Sequence, residues 1–389
     1  MQNKFMAYIR PDGQVGARNL LAVIPSVTCA GDVASAIVRQ ISGTVGFFHH
    51  QGCCQLPPDL DRVTKTLSSL GCSPNVGAVL VISLGCEGTD VESLVSEIEQ
   101  SGKPVKLIRI QELGGVSAAI KAGIDAAQEL VMEISEYQRE PVSIDRAVMA
   151  LKCGASDTTS GLASNCVLGY VADKLIDLGA TVIFGETTEF LGAEHLLAHR
   201  AVNPEIAERI YSIVDHMEQR AKSLGTDMRR GQPTPGNIAG GLSSIEEKSL
   251  GAIVKSGSRP IQGVLDYPDR IGERKGLWIK DTPGREPEIL TGMAATGAQF
   301  MMFSTGRGAP QGFPTMPVYK VCGNPVTYSR MPHDMDLNAG RIITGEKSIE
   351  EVGEEAFEAI LKLLSGRQTK NETLGYHSSI DIHTLGPVI

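Results

Sequence analysis

Five short clusters of reactive side chains punctuate this sequence, each directly after an apolar run. His49, His50, Gln51, Gly52, Cys53 and Cys54 follow the run ending at Phe48, Gly85, Cys86 and Glu87 follow Leu84, and Gln111 and Glu112 follow Ile110. Lys152, Cys153, Gly154, Ser156 and Asp157 follow Leu151, and Gly185, Glu186, Thr187, Thr188 and Glu189 follow Phe184. Carboxylates beside Lys or His suit proton transfer. Thiols in glycine-flanked loops suit a soft metal. Two readings of Cys53, Cys86 and Cys153 stay open. Either they converge as thiolates on an iron–sulfur cluster, or on Fe²⁺ with His49 and carboxylates, or they are reduced thiols in loops too tight for larger residues. No CxxC spacing decides between them. Cys29, Cys72, Cys166 and Cys322 stand in apolar or helical contexts and read as core.

Other groups carry weaker signals. His49 and His50 are neighbours, so extended backbone points them in opposite directions and only one, His49 by preference, enters a site. His195 and His199 are four apart and fit an exposed helix face better than a metal pair. His333, Asp334 and Asp336 share a polar loop that suits a metal or water, or simply a hydrogen-bonded turn. Arg10, Arg18, Lys248, Lys255, Arg307 and Lys320 lie in Gly- or Asn-rich contexts. Arg307, between two glycines in STGRGAP, suits a carboxylate clamp because its guanidinium fork matches a carboxylate. The text after the first strand, PSVTCAGD, lacks GxGxxG, and GxxxxGK[ST] is absent, so no nucleotide cofactor is expected.

The elements that position these clusters alternate. Strand patterns cover 20–27, 43–48, 78–84, 105–110, 147–151 and 180–184, and helical periods cover 30–41, 58–70, 90–101, 115–137, 162–178, 204–224 and 346–364. This predicts an α/β protein with mainly parallel sheets covered on both faces. Right-handed crossovers bring the strand-end loops to one edge, where such sheets bind ligands. The polar stretch 136–143 reads as a linker. It divides an N-terminal flavodoxin-like α/β domain, 1–138, from a C-terminal α/β catalytic domain, 139–389. Irregular Gly-, Pro-, Thr- and Asn-rich text over 231–340 predicts long binding loops. The closing IDIHTLGPVI is apolar and is expected to pack.

Composition narrows the class. The 389 residues carry a net charge of −9, which offers no basic field for nucleic acid or an anionic membrane. No run is long and apolar enough to span a bilayer, and the first residues lack a signal-peptide core. The expectation is a cytoplasmic protein with reduced thiols.

The chain resembles the altronate/galactarate dehydratase family over nearly its whole length. The carrying segments run in order from AYIRPDGQVGARN (7–19) through HHQGC (49–53), LGCE (84–87), KCGASD (152–157), ETTEFLGAEHLL (186–197), GNIAGGLSSIEEKSLG (236–251), KDTPG (280–284) and FSTGRGAPQG (303–312) to MDLNAG (335–340). The resemblance implies a metal-dependent lyase that removes water from a sugar-acid anion to give a 2-keto-3-deoxy acid. It implies iron, as Fe²⁺ or a cluster, on Cys53, Cys86 and Cys153. It assigns His49, Glu186, Glu189 and Lys248 to catalysis, the two glutamates through hydroxyl or metal contacts. Arg18, Asn237, Arg307 and Lys320 are assigned to substrate binding. The first motif starts at Ala7, so the family's small N-terminal β domain is expected as a separate small subunit, and a homo-oligomer is expected too. Two-subunit members include (2R)-sulfolactate sulfo-lyase, whose large subunit, releasing sulfite, is the alternative. His50, Gln51, Cys54 and Ala155 depart from the family pattern.

Overall fold

Alternate residues along the buried strands face different layers, and this alternation organises the molecule. The structure is a computed structural model that describes residues 3–231 and 233–387; Met1, Gln2, Gln232, Val388 and Ile389 lie outside the described residues. Its strands are β1 (Lys4–Ile9), β2 (Val15–Gly16), β3 (Leu20–Pro25), β4 (Thr44–Gly46), β5 (Val76–Ser83), β6 (Val105–Arg109), β7 (Glu140–Ser143), β8 (Val148–Cys153), β9 (Thr181–Phe184), β10 (Ile261–Leu265), β11 (Gly276–Lys280), β12 (Phe300–Thr305), β13 (Val318–Cys322) and β14 (Leu337–Asn338).

The α/β expectation holds. A four-stranded sheet has order β4-β3-β5-β6 and a seven-stranded sheet has order β10-β11-β9-β8-β12-β13-β14. Every pairing within both is parallel. Helices Gly31–Val38 and Val116–Ser135 cover one face of the smaller sheet, packing on Leu21, Val23, Leu80 and Ile82. Ala22, Ile24, Val79 and Val81 point the other way, toward helices Pro57–Gly71 and Val91–Gln100. Helix Glu286–Ala295 packs on Pro57–Gly71 and shares one buried core with Ala150, Ile183, Met301 and Phe303 of the larger sheet. Met149, Leu151, Phe184 and Met302 face helices Asn165–Asp177, Pro204–Ser223 and Ile349–Leu364. Helices therefore separate the two sheets.

Two expectations need correction. The stretch read as a linker contains β7, which pairs antiparallel with β1 from Lys4↔Ser143 to Ala7↔Glu140. Only Val142 of this strand is buried, so its polar sequence hides it. The stretch read as loops supplies β10 to β14. Lys280 and Lys320 interrupt apolar strands at fully buried positions, and this breaks the pattern that marks a strand. The C-terminal segment packs as expected: Ile380 and Ile382 are buried, and the Leu385 and Gly386 amides each donate to the Asp59 carboxylate at 2.7 Å. Among the described residues no helix is long and apolar enough to cross a membrane.

Candidate active site

The strand order of the larger sheet reverses at β8, with β9 on one side and β12 on the other. Sheets of this kind bind ligands at the carboxyl ends beside such a switch point. Register places Lys152 opposite Phe303 and Phe303 opposite Lys320. Residues in register on parallel strands point the same way, so two buried lysines flank one aromatic ring. Lys320 Nζ stands 3.5 Å from the ring centroid and Lys152 Nζ 5.5 Å.

The next residue, Cys153, points to the opposite face. Its Sγ lies 3.0 Å and 3.1 Å from the two Glu189 carboxylate oxygens and 3.3 Å from Lys255 Nζ. Two buried ion pairs result. Lys152 Nζ meets Glu186 Oε2 at 2.6 Å, and Lys255 Nζ meets Glu189 Oε2 at 2.5 Å. Glu286 joins them from the start of its helix: a Cβ on Gly154 would lie 2.8 Å from Glu286 Oε1.

The backbone under Glu186 is strained. Its φ of 70° and ψ of 70° are left-handed, a conformation that costs an L side chain about 1–2 kcal/mol. The loop 280–284 holds it there: the Glu186 amide donates to Thr282 Oγ1 at 2.7 Å and the Thr187 amide to Thr282 O at 3.0 Å. Gly185 permits this approach, since a Cβ there would sit 2.6 Å from Lys280 O. Strain of this kind gathers at functional positions.

The electrostatics separate the two carboxyl groups. Burial, then the Glu189 charge, pushes Glu186 up to about 7. Burial also acts to raise Glu189, but Lys255 and Lys152 outweigh it and hold that group below its usual value. The two carboxyl groups are thus driven apart, with Glu186 the weaker acid. Burial and Glu189 push the Cys153 thiol up to about 12, so it is a thiol that donates rather than a thiolate. Burial opposes ionisation of Lys152, yet Glu186 and Glu189 raise it. Lys320 differs: burial drives it well below its normal value, only partly countered by Asp336 and Glu286. Its Nζ is buried with no hydrogen-bond partner among the described residues. A buried amine pushed toward its neutral form, a carboxyl group raised toward neutrality and a second one held down, braced by two lysines, are the parts of an acid–base site.

Comparison with known proteins agrees with the segments that carry this cluster. Residues 7–135 match the model of the D-galactarate dehydratase/altronate hydrolase second domain, and residues 144–388 match that of the D-galactarate/altronate dehydratase C-terminal domain. The chain belongs to the galactarate/altronate dehydratase family. It is 38% identical to (2R)-sulfolactate sulfo-lyase subunit beta of Chromohalobacter salexigens, across 97% of this chain and 96% of that one. It is 34% identical to galactarate dehydratase (L-threo-forming) of Escherichia coli, across 99% of this chain and 77% of the other. It is 31% identical to an altronate dehydratase of Bacillus subtilis, across 95% and 75%.

The structure sorts the residues that the family resemblance nominated. Glu186, Glu189, Lys320 and Cys153 meet in the cluster. Lys248 lines a neighbouring cleft of about 560 Å³ with Ser156 and Asp157, and its charge is felt at Glu189. Arg307 stays at the end of β12, exposed, with Nη1 donating to Gly236 O at 2.7 Å. The others serve the fold. His49 Nδ1 accepts from the Gln51 amide at 3.1 Å, so its Nε2–H donates to Pro25 O at 2.8 Å, and both ring nitrogens are occupied. Burial depresses this imidazole to about 4. The Arg18 guanidinium is taken by Glu372 and by the carbonyls of Ala17, Leu363 and Arg367. Asn237 is the third residue of a capping box with Thr234, and its Nδ2 donates to Ser156 O.

The three thiols do not come together. Cys53 and Cys86 are exposed near the ends of β4 and β5, whereas Cys153 is buried at the end of β8 across the helix layer. Among the described residues no group of three His, Cys, Asp or Glu side chains is arranged to hold a metal ion. Around Cys153 the cationic positions are filled by Lys152 and Lys255. The residues present therefore do not fit the iron centre implied by the resemblance, and no chemical step is routed through one.

Sequence reasoning missed three members of the cluster. Lys152 stood in the KCGASD motif without a role. Lys255 was one of several lysines in glycine-rich text. Glu286 gave no signal, because an acidic residue in the first turn of a helix is what the helix dipole favours.

Proposed function

We propose that the chain is a lyase that removes a β-substituent from a small 2-hydroxy-acid anion, with Lys320 and Glu186 as its proton-transfer pair. The carrying observation is the unpartnered Lys320 amine in register with Lys152, whose own partner Glu186 holds a proton near neutrality. The proton beside a carboxylate is weakly acidic, and its removal leaves a dianion that fixed positive charge must stabilise. Lys152 and Lys255 supply that charge in a water-poor site. Lys320 Nζ takes the proton and becomes an ammonium over the Phe303 ring, a favourable cation–π pair. The C–H electron pair forms the new double bond as the bond to the β-oxygen breaks. Glu186 gives its proton to that oxygen, and water leaves. The enol then tautomerises to a 2-keto-3-deoxy acid of the altronate or galactarate type.

A second reading has its own support. The sulfo-lyase relative matches this chain nearly end to end and is named as a subunit. On this reading the protein acts with a separate small subunit. The β-carbon to sulfur bond breaks with its electron pair, so sulfite departs without a proton from Glu186. The test incubates the reduced protein with Fe²⁺, with and without any small subunit encoded beside it, against altronate, galactarate and sulfolactate. A 2-keto acid without sulfite supports dehydration, and sulfite release supports the alternative. No 2-keto acid from any of them sinks both.

A further inference from the structure

The larger sheet has a second edge, where its strands begin. There the turn between β1 and β2, the turn Ile144–Arg146 and the loop between β10 and β11 enclose a cavity of about 960 Å³. The six residues of β8 separate it from the Lys152–Glu186 pair, a span of about 20 Å. The cavity is within the size range of small-molecule sites.

Its walls are unusual for a chain of net charge −9. Arg146, Arg270, Arg274 and Lys275 all line it. Three of them are held by backbone carbonyls: Arg146 donates to Gly13 O, Arg274 to Arg270 O at 3.2 Å, and Lys275 to Asp145 O. None of the four forms an ion pair among the described residues, although Asp12, Asp145 and Glu273 share the cavity. The Gly272 and Glu273 amides, on the same loop, have no acceptor among the described residues. Two open amides beside guanidinium groups are a donor set for an oxyanion.

We propose that this cavity binds a small phosphate-bearing anion, with its phosphate on Arg270, Arg274 and the Gly272–Glu273 amides. The site draws on both family-model segments, because the 12–15 turn and Pro74 close it against the loop 270–275. It does not depend on the reaction proposed above.

Calorimetric titration of the full chain with glycerol 3-phosphate, inorganic phosphate and glycerol tests it. Saturable binding is expected for glycerol 3-phosphate and for phosphate, and none for glycerol. The double variant Arg270→Ala/Arg274→Ala is expected to lose at least about tenfold in affinity, the effect of one charged hydrogen bond. Thermal melting checks that the variant folds. Absence of saturable binding overturns the proposal, as does unaltered affinity in the double variant. A shift in the sedimentation of that variant with binding intact assigns the face to contact between copies of the chain and overturns it equally.

Discussion

Lys152 Nζ stands 2.6 Å from Glu186 Oε2, and the same ammonium donates to its neighbour's carbonyl, Cys153 O, at 2.6 Å. Both side chains are buried. The pair therefore fixes the Glu186 carboxyl at the end of β9 while Glu189, one turn later, receives Lys255. Two carboxyl groups with two partners divide into an acid and an anion.

The acid sets a pH limb. Glu186 is held up to about 7, so a turnover that needs its proton declines as pH rises through that value. Glu186→Gln is expected to remove the limb and lower kcat by about 10²–10⁴ for a lost general acid. The same shift affects stability. A carboxyl whose folded value exceeds its unfolded one favours the fold below pH 4.5, and this contribution is lost as pH rises toward 7. Rate profiles and melts of both proteins across pH 4–9 check this. A limb that persists in Glu186→Gln assigns it elsewhere.

Two buried lysines should answer the same substitution in opposite ways. Lys320 Nζ has no hydrogen-bond partner among the described residues, so Lys320→Met relieves an unsatisfied buried group worth about 1–3 kcal/mol while abolishing turnover. Lys255 neutralises Glu189, so Lys255→Met leaves a buried anion alone and costs about 3–5 kcal/mol. Denaturant titration measures both. Destabilisation of Lys320→Met would count against the unpartnered amine.

His49 is expected to matter for folding rather than turnover. Its ring joins Pro25 O to the Gln51 amide at the base of the 49–55 loop. His49→Ala should lose about 1–3 kcal/mol, the cost of leaving buried polar groups unmade. Its kcat should remain within a few-fold. A loss of rate beyond 100-fold in a folded variant would return His49 to the catalytic set.

Ala155 carries a strain that glycine would avoid. Its φ is 49°, and its carbonyl accepts the Arg307 amide at 2.9 Å. Glycine relieves the left-handed strain at some cost in unfolded-chain entropy, so Ala155→Gly should gain about 0.5–1 kcal/mol. A melt at fixed pH decides it.

Iron content is a direct measurement. Cys153 donates its thiol proton to Glu189, so Cys153→Ser should leave the metal stoichiometry of the purified protein unchanged. Iron lost with that single substitution would restore the thiolate centre.

Much of this was legible in one dimension. Apolar runs and helical periods specify the parallel sheets, because burial on two faces writes itself as continuous Val, Ile and Leu. Strand-end position marked Cys153, Glu186 and Glu189, because a parallel sheet delivers all its carboxyl ends to one edge. The strands β11 and β13 escaped for a related reason: each carries a lysine where a strand interior is normally apolar, and Lys320 is where the chemistry is proposed. What sequence withheld was mutual distance. Nothing local tells that Lys255 crosses 66 positions to reach Glu189, that a helix layer parts Cys53 from Cys153, or which of two glutamates keeps the proton. Those outcomes depend on Coulomb energies and desolvation, which exist only once residues remote in the chain share one dry space.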